Sequence, residues 1–183
     1  MPHLAAVEIF VDGPNFHLAQ RYEGLHLRVD LNLLARQLSR GYHFVKLNYY
    51  TSPLPDPQSE SYRAQQRFFS QIERSGKIRL VLGRNEPRVD RYTGRRYHVE
   101  KETDVNLAVD MVVGAYRDRY DVAMLVAGDS DYVRAVQALQ EQGKKLIWCR
   151  LPAQGRVDQL AKLADATLEL DEKFLRTCAL PNR

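Results

Sequence analysis

Apolar positions recur along this chain with two spacings that repeatedly trade places. Short runs rich in β-branched and aromatic residues read as strands: AAVEIFVD (5–12), YHFVKLNYYT (42–51), KIRLVLG (77–83), DVAMLVAG (121–128) and KKLIWCR (144–150). Between them, apolar residues fall three or four apart. NFHLAQRY follows Gly13-Pro14 as a short helix with proline near its start. DLNLLARQLSR puts Leu31, Leu34 and Leu38 at helical spacing, with Asp30 as N-cap and Gly41 beyond the end. ESYRAQQRFFSQIERSG (60–76) sets Tyr62, Phe69 and Ile72 near one face and closes at Gly76. Further helices are expected over 102–120, 129–143 and 155–164, and from Asp171 after a last strand-like ATLEL (166–170). Strand alternating with helix, with crossovers long enough for parallel pairing, predicts a three-layer α/β domain with a mainly parallel central sheet. Only the segment from Arg84 to Glu100 breaks the pattern, as an irregular charged insertion.

Bulk properties narrow this modestly. A chain of 183 residues suits one domain over 1–183, long enough to bury roughly 70% of its unfolded surface. Cys149 and Cys178 are the two cysteines and form no CxxC, so neither a disulfide framework nor a cysteine zinc site is implied. Reduced thiols, and an N-terminal apolar run broken by Glu8 and Asp12, predict a soluble cytoplasmic protein with no signal peptide. No apolar run reaches the roughly 18 residues of a membrane span. A net charge of +4 and a pI of about 9.1 hardly separate a nucleic-acid binder from an ordinary protein.

The acidic positions say more. In open α/β sheets, ligands gather outside the carboxyl ends of the strands. Asp12 ends the first strand, Asp129 follows the fourth, and Asp104 starts the helix leading into the fourth. They share an edge only if the first and fourth strands are neighbours, which sequence alone leaves open. Asp129 and Asp131 also suit an N-cap and a first-turn carboxylate, and Asp104 carries the same ambiguity. If the carboxylates converge, repulsion raises some of their pKa values unless a cation compensates. Oxygen ligands without ligand-like histidine spacing suit Mg²⁺ or Mn²⁺ rather than Zn²⁺. Two such ions about 3.5–4 Å apart are a common device for phosphodiester hydrolysis. Asp110 lies about 240° around the helix from Asp104 and has apolar neighbours, so a supporting role is expected, with Asn106 as one available partner.

Other chemistries fit less well. DSDYV matches the aspartyl-phosphatase pattern of haloacid dehalogenases, which place it after their first strand and need later motifs. Only about fifty residues follow here. GDS lacks a downstream histidine, since none comes after His98. Neither a P-loop nor GxGxxG follows a strand.

VDGPNF, KETDVNLAVDMV and LVAGDSDYVRAVQALQEQGKKL, in that order, resemble the NYN branch of the PIN-like nucleases, LabA-like proteins in particular. The likeness runs from about residue 5 to about 170. It implies a PIN-like Rossmannoid sheet, an acidic cluster around Mg²⁺ or Mn²⁺, and ribonuclease activity. The matching ligand positions are Asp12, Asp104, Asp129 and Asp131, and Asn15 matches the first motif's Asn. Ala127 stands where the family often has Ser, and Tyr132 where it often has Phe.

The insertion supplies cations for such a substrate. Arg84, Arg88, Arg91, Arg95, Arg96 and Lys101 outnumber Glu86, Asp90 and Glu100, with Tyr92, Tyr97 and His98 between them. Arginine contacts phosphate bidentately and aromatic rings stack on unpaired bases. RYTGRRYHV resembles a hairpin turning at Thr93-Gly94. A substrate-gripping flap at about 84–100 is therefore expected, with Arg91, Arg95, Arg96, Lys101 and Ser130 as RNA contacts. Arg63 and Arg67 read as a solvated face, and Tyr49, Tyr50 and Trp148 as packing residues. Two alternatives stay open: a catalytically silent RNA-binding module, and a DNA flap nuclease of the same fold. Exposed edge strands also leave homo-oligomerisation open.

Overall fold

The computed structural model describes residues 4–154 and 158–181. Its strands are β1 (Ala6–Asp12), β2 (His43–Thr51), β3 (Ile78–Leu82), β4 (Arg84–Val89), β5 (Arg96–Lys101), β6 (Val122–Val126), β7 (Lys145–Arg150) and β8 (Ala166–Glu169). Its helices are α1 (Gly13–Tyr22), α2 (Leu31–Leu38), α3 (Glu60–Glu73), α4 (Thr103–Tyr116), α5 (Val133–Glu141), α6 (Asp158–Leu163) and α7 (Glu172–Thr177). The start of the helix expected over 155–164 lies outside the described residues.

Among the described residues, six strands form one parallel sheet in the order β3-β2-β1-β6-β7-β8. The chain winds outward from β1 through β2 to β3, crosses back to β6, and winds the other way. The order therefore reverses between β1 and β6, where Val11 pairs with Val126. That is the crevice in which doubly wound sheets bind ligands.

Alternation along β1 assigns the two layers. Val7, Ile9 and Val11 pack with Phe16, Leu34 and Ile72 from α1, α2 and α3. Phe10 faces the other way, among Leu107, Met111, Leu139 and Leu160 from α4, α5 and α6. Glu8, Phe10 and Asp12 thus share one face of β1, and both acids are buried. Glu8 accepts a hydrogen bond from Asn48 Nδ2 at 2.8 Å. Lys46 Nζ and Arg119 Nε lie 3.5 and 3.4 Å from its two oxygens.

Local signals operate as the sequence implies. Asp30 Oδ1 accepts from the Asn32 and Leu33 N–H groups, and Ser59 and Asp171 cap α3 and α7. Tyr50 and Trp148 are buried, as packing residues. The helix expected over 102–120 stops at Tyr116, because the chain turns at Asp118 (φ 52°) and folds Tyr120 into the core, its hydroxyl donating to Met111 O at 2.6 Å. No helix among the described residues is long and apolar enough to cross a membrane.

The charged insertion is regular, not irregular. β4 and β5 pair antiparallel over six residues each, from Arg84↔Lys101 to Val89↔Arg96. Asp90 closes the turn by accepting from the Tyr92 and Thr93 N–H groups, and Gly94 takes φ 67°. Sequence patterning missed this ladder because its positions are mostly exposed and charged, so no apolar period marks them.

Candidate active site at the sheet's carboxyl edge

Asp12 ends β1 and is the N-cap of α1, where its Oδ1 accepts from Asn15 N at 3.0 Å. Gly13 lets the helix start here. A Cβ would lie 2.6 Å from the Tyr49 ring and 2.7 Å from the Tyr50 carbonyl oxygen, so α1 could not come this close to β2 with any side chain.

The other oxygen of Asp12 meets Tyr132, whose buried hydroxyl lies 2.8 Å from Asp12 Oδ2 and 3.1 Å from Asp104 Oδ1. Residues 28 and 120 positions apart are thereby joined at one oxygen atom. The phenol has one proton and faces two carboxylates, so it donates to one of them at a time. Burial, then the charges of Asp12 and Asp104, push its pKa far up, which keeps it a neutral donor.

Asp12 carries the electrostatic signature of the corner. Burial raises its pKa from 3.8 to about 6, against the lowering effect of the Asn15 and Tyr132 hydrogen bonds, and the charges of Asp104 and Glu100 add to the rise. Glu100, at the base of the hairpin, accepts a hydrogen bond from Thr103 Oγ1. Its charge also adds to the burial that raises the Tyr49 phenol.

The other residues expected at the sheet's carboxyl edge fall into three groups. Asp129 follows β6 and caps the short 3-10 turn Ser130–Tyr132, accepting from Asp131 N at 3.0 Å; Ser130 and Asp131 are exposed beside it. Asn15, expected at the first motif, turns its Oδ1 to the Gly128 N–H at 2.9 Å and to Gln154 Nε2. It ties α1 to the loops after β6 and β7. Asp110 stands apart, accepting from Tyr50 OH at 3.0 Å and Arg79 Nη1 at 2.8 Å rather than pairing with Asn106.

Lys101 ends β5 beside the corner and is exposed. Arg91 and Arg95 lie in the hairpin turn and Arg96 begins β5, all exposed. Four residue steps along β5 separate Arg96 from Glu100, roughly 13 Å. The hairpin is tied to the body at its base, where Asn85 Nδ2 donates to Pro53 O and Arg84 Nε lies 2.6 Å from Glu102 Oε1. Glu102, between β5 and α4, holds a left-handed φ of 77°.

Sequence reasoning missed Tyr132, Glu100 and Gln154. Tyr132 was visible only as a departure from the family's Phe, and Glu100 only as one charge among many in the insertion.

The donor set at this corner consists of carboxylate oxygens, which suits a hard divalent cation. Among the described residues, no three His, Cys, Asp or Glu groups stand close enough to enclose a metal; Asp12 and Asp104 are the pair brought together.

Comparison with known proteins agrees with the fold. The crystal structure of a protein of unknown function, VPA0982 from Vibrio parahaemolyticus RIMD 2210633, is similar at a TM-score of 0.70 and 24% identity, covering 96% of this chain and 98% of that one. A microbiome-derived acarbose kinase, Mak1, matches 91% of this chain and 61% of its own at 11% identity; its TM-score of 0.39 is too low to bear on function. No curated protein matches. The model of the NYN domain family matches residues 6–171. With that match spanning the whole parallel sheet up to the start of α7, the chain belongs to the NYN domain family, whose members are in general nucleases.

Proposed function

We propose that this protein is a metal-dependent ribonuclease, its motifs being most similar to the LabA-like branch of the family. One observation carries the reading. Two carboxylates from distant parts of the chain meet around a single hydroxyl proton, with Glu100 adding to their charge, so the corner is short of positive charge.

Asp12 and Asp104 would hold Mg²⁺ or Mn²⁺, with Asp129 and Asp131, which do not close a cage with them here, adding ligands directly or through water. A divalent ion supplies there an acidified water and neutralisation of charge on the phosphodiester. The chain's own groups do the positioning. Tyr132 keeps Asp12 and Asp104 together against their repulsion. Asn15 holds the Gly128 turn, and so the place from which Asp129 projects. Ser130 and Lys101, both exposed beside the corner, are available to a phosphate oxygen.

A second reading, an RNA-binding module without turnover, is favoured by one feature: Asp129 uses an oxygen to cap Asp131 N–H. One assay separates the readings. Purified protein is incubated with labelled single-stranded RNA and DNA, with and without Mn²⁺. Mn²⁺-dependent RNA cleavage, lost in Asp129→Asn with the fold intact, is expected. Binding without cleavage supports the module, DNA-only cleavage supports a DNA flap nuclease, and full activity in Asp129→Asn refutes the ligand assignment.

A further inference from the structure

The hairpin has two unlike faces. Directly opposed residues in an antiparallel pair share a face, and successive residues alternate. Arg84, Glu86, Arg88, Tyr97, Val99 and Lys101 therefore lie on one side, and Asn85, Pro87, Val89, Arg96, His98 and Glu100 on the other.

On the first side Arg84, Glu86 and Arg88 are matched within the protein, leaving Lys101 at the base and Tyr97, 49% exposed. Glu86 pairs with both Arg84 and Arg88, at 3.2 and 3.0 Å, and Arg84 also meets Glu102. The second side is different. Its base is the acidic corner itself, since Glu100 acts on Asp12 and Asn85 donates to Pro53 O beyond the end of β2. Moving outward, the opposed pair Pro87 and His98 comes next, then Val89 and Arg96, all exposed. Val89 is 59% exposed, which for an apolar side chain beside an arginine leaves surface uncovered. Arg96 makes no ion pair among the described residues.

We infer that this second face is the track along which a single-stranded RNA reaches the acidic corner, an inference that rests on the ribonuclease reading above. The proline ring, the imidazole and the valine offer flat or apolar surface to unpaired bases, and Arg96 meets a phosphate. A duplex hides its base faces in the stack and cannot use such a strip. Arg84 and Arg88 are already matched by glutamates on the opposite face.

The test measures binding in EDTA by fluorescence anisotropy, with a short labelled single-stranded oligoribonucleotide and the same strand annealed to its complement. The protein should prefer the single strand. Arg96→Ala and His98→Ala should each weaken that binding about tenfold. Arg96→Ala should also lower the slope of log affinity against log salt by about 0.7, one phosphate contact. Arg88→Ala should leave affinity within about twofold. Equal affinity for duplex and single strand, or a larger loss from Arg88 than from Arg96 and His98, overturns the face assignment and leaves the ribonuclease reading standing. No RNA binding by the wild-type protein overturns both.

Discussion

Strand β1 buries two acids on one face, four residues apart, and treats them oppositely. Glu8 takes one hydrogen bond, from Asn48, and has Lys46 and Arg119 within 3.5 Å, so the protein itself supplies cations although Glu8 Oε2 and Arg119 Nε make no hydrogen bond. Asp12 is met by a backbone N–H, a neutral phenol and the charges of Asp104 and Glu100. A buried carboxylate matched from within is part of the scaffold. One surrounded by its own sign is destabilising as it stands, and persists where something from outside supplies the missing charge. The difference separates the structural end of the strand from the end placed to work.

The largest effect that sharpens this contrast is on activity. Asp12→Asn should lower cleavage about a thousandfold, the order expected when a ligand to a charge-stabilising ion is removed. Wild-type rates in that variant would break the contrast at once.

At the other end, Glu8→Ala should lower unfolding stability by about 3–4 kcal/mol, because Lys46, Arg119 and Asn48 lose their shared partner. Cleavage per folded molecule should hold, as checked by denaturant melts and active-protein titration.

Next comes a difference in sign. In the folded chain Asp12 keeps its proton up to about 6, against 3.8 for the unfolded group. Folding therefore takes up a proton between those values, and this group's contribution to stability falls as pH rises through them. Metal-free Asp12→Asn should match the wild type below that window and exceed it by about 3 kcal/mol above it. Adding Mn²⁺ should close the gap by raising the wild-type melting temperature alone. A gap independent of pH would show that Asp12 is compensated after all.

The smallest effect belongs to Tyr132→Phe. Removing one hydroxyl should cost about 1 kcal/mol in the folded protein and loosen Mn²⁺ binding, measurable by calorimetry. Unchanged affinity for Mn²⁺ would mean that the hydroxyl does not position the two carboxylates.

What the sequence revealed, and what it withheld, follows from range. The strands of the parallel sheet were legible because burial imposes a period on each run separately, and a cap such as Asp30 acts within four residues. The adjacency of β1 and β6 was not, since it depends on a crossover that no local pattern encodes. Asp12 and Asp104 could be nominated by position, but the atom joining them comes from Tyr132, whose role exists only in three dimensions. The partners of Asp110 were out of reach for the same reason: Tyr50 and Arg79 come to it from neighbouring strands, whereas Asn106 is merely close along the helix. The hairpin was recognised at its turn and missed along its arms, where exposure erases the alternation.

Glu102 joins the hairpin to α4. A side chain in left-handed backbone costs about 1–2 kcal/mol, and Glu102 also meets Arg84 from the first residue of β4. Asp104 lies two residues past Glu102, on the first turn of α4. With Thr103 alone between Glu102 and Asp104, the hairpin's base and the carboxylate are fixed by the same short stretch of backbone.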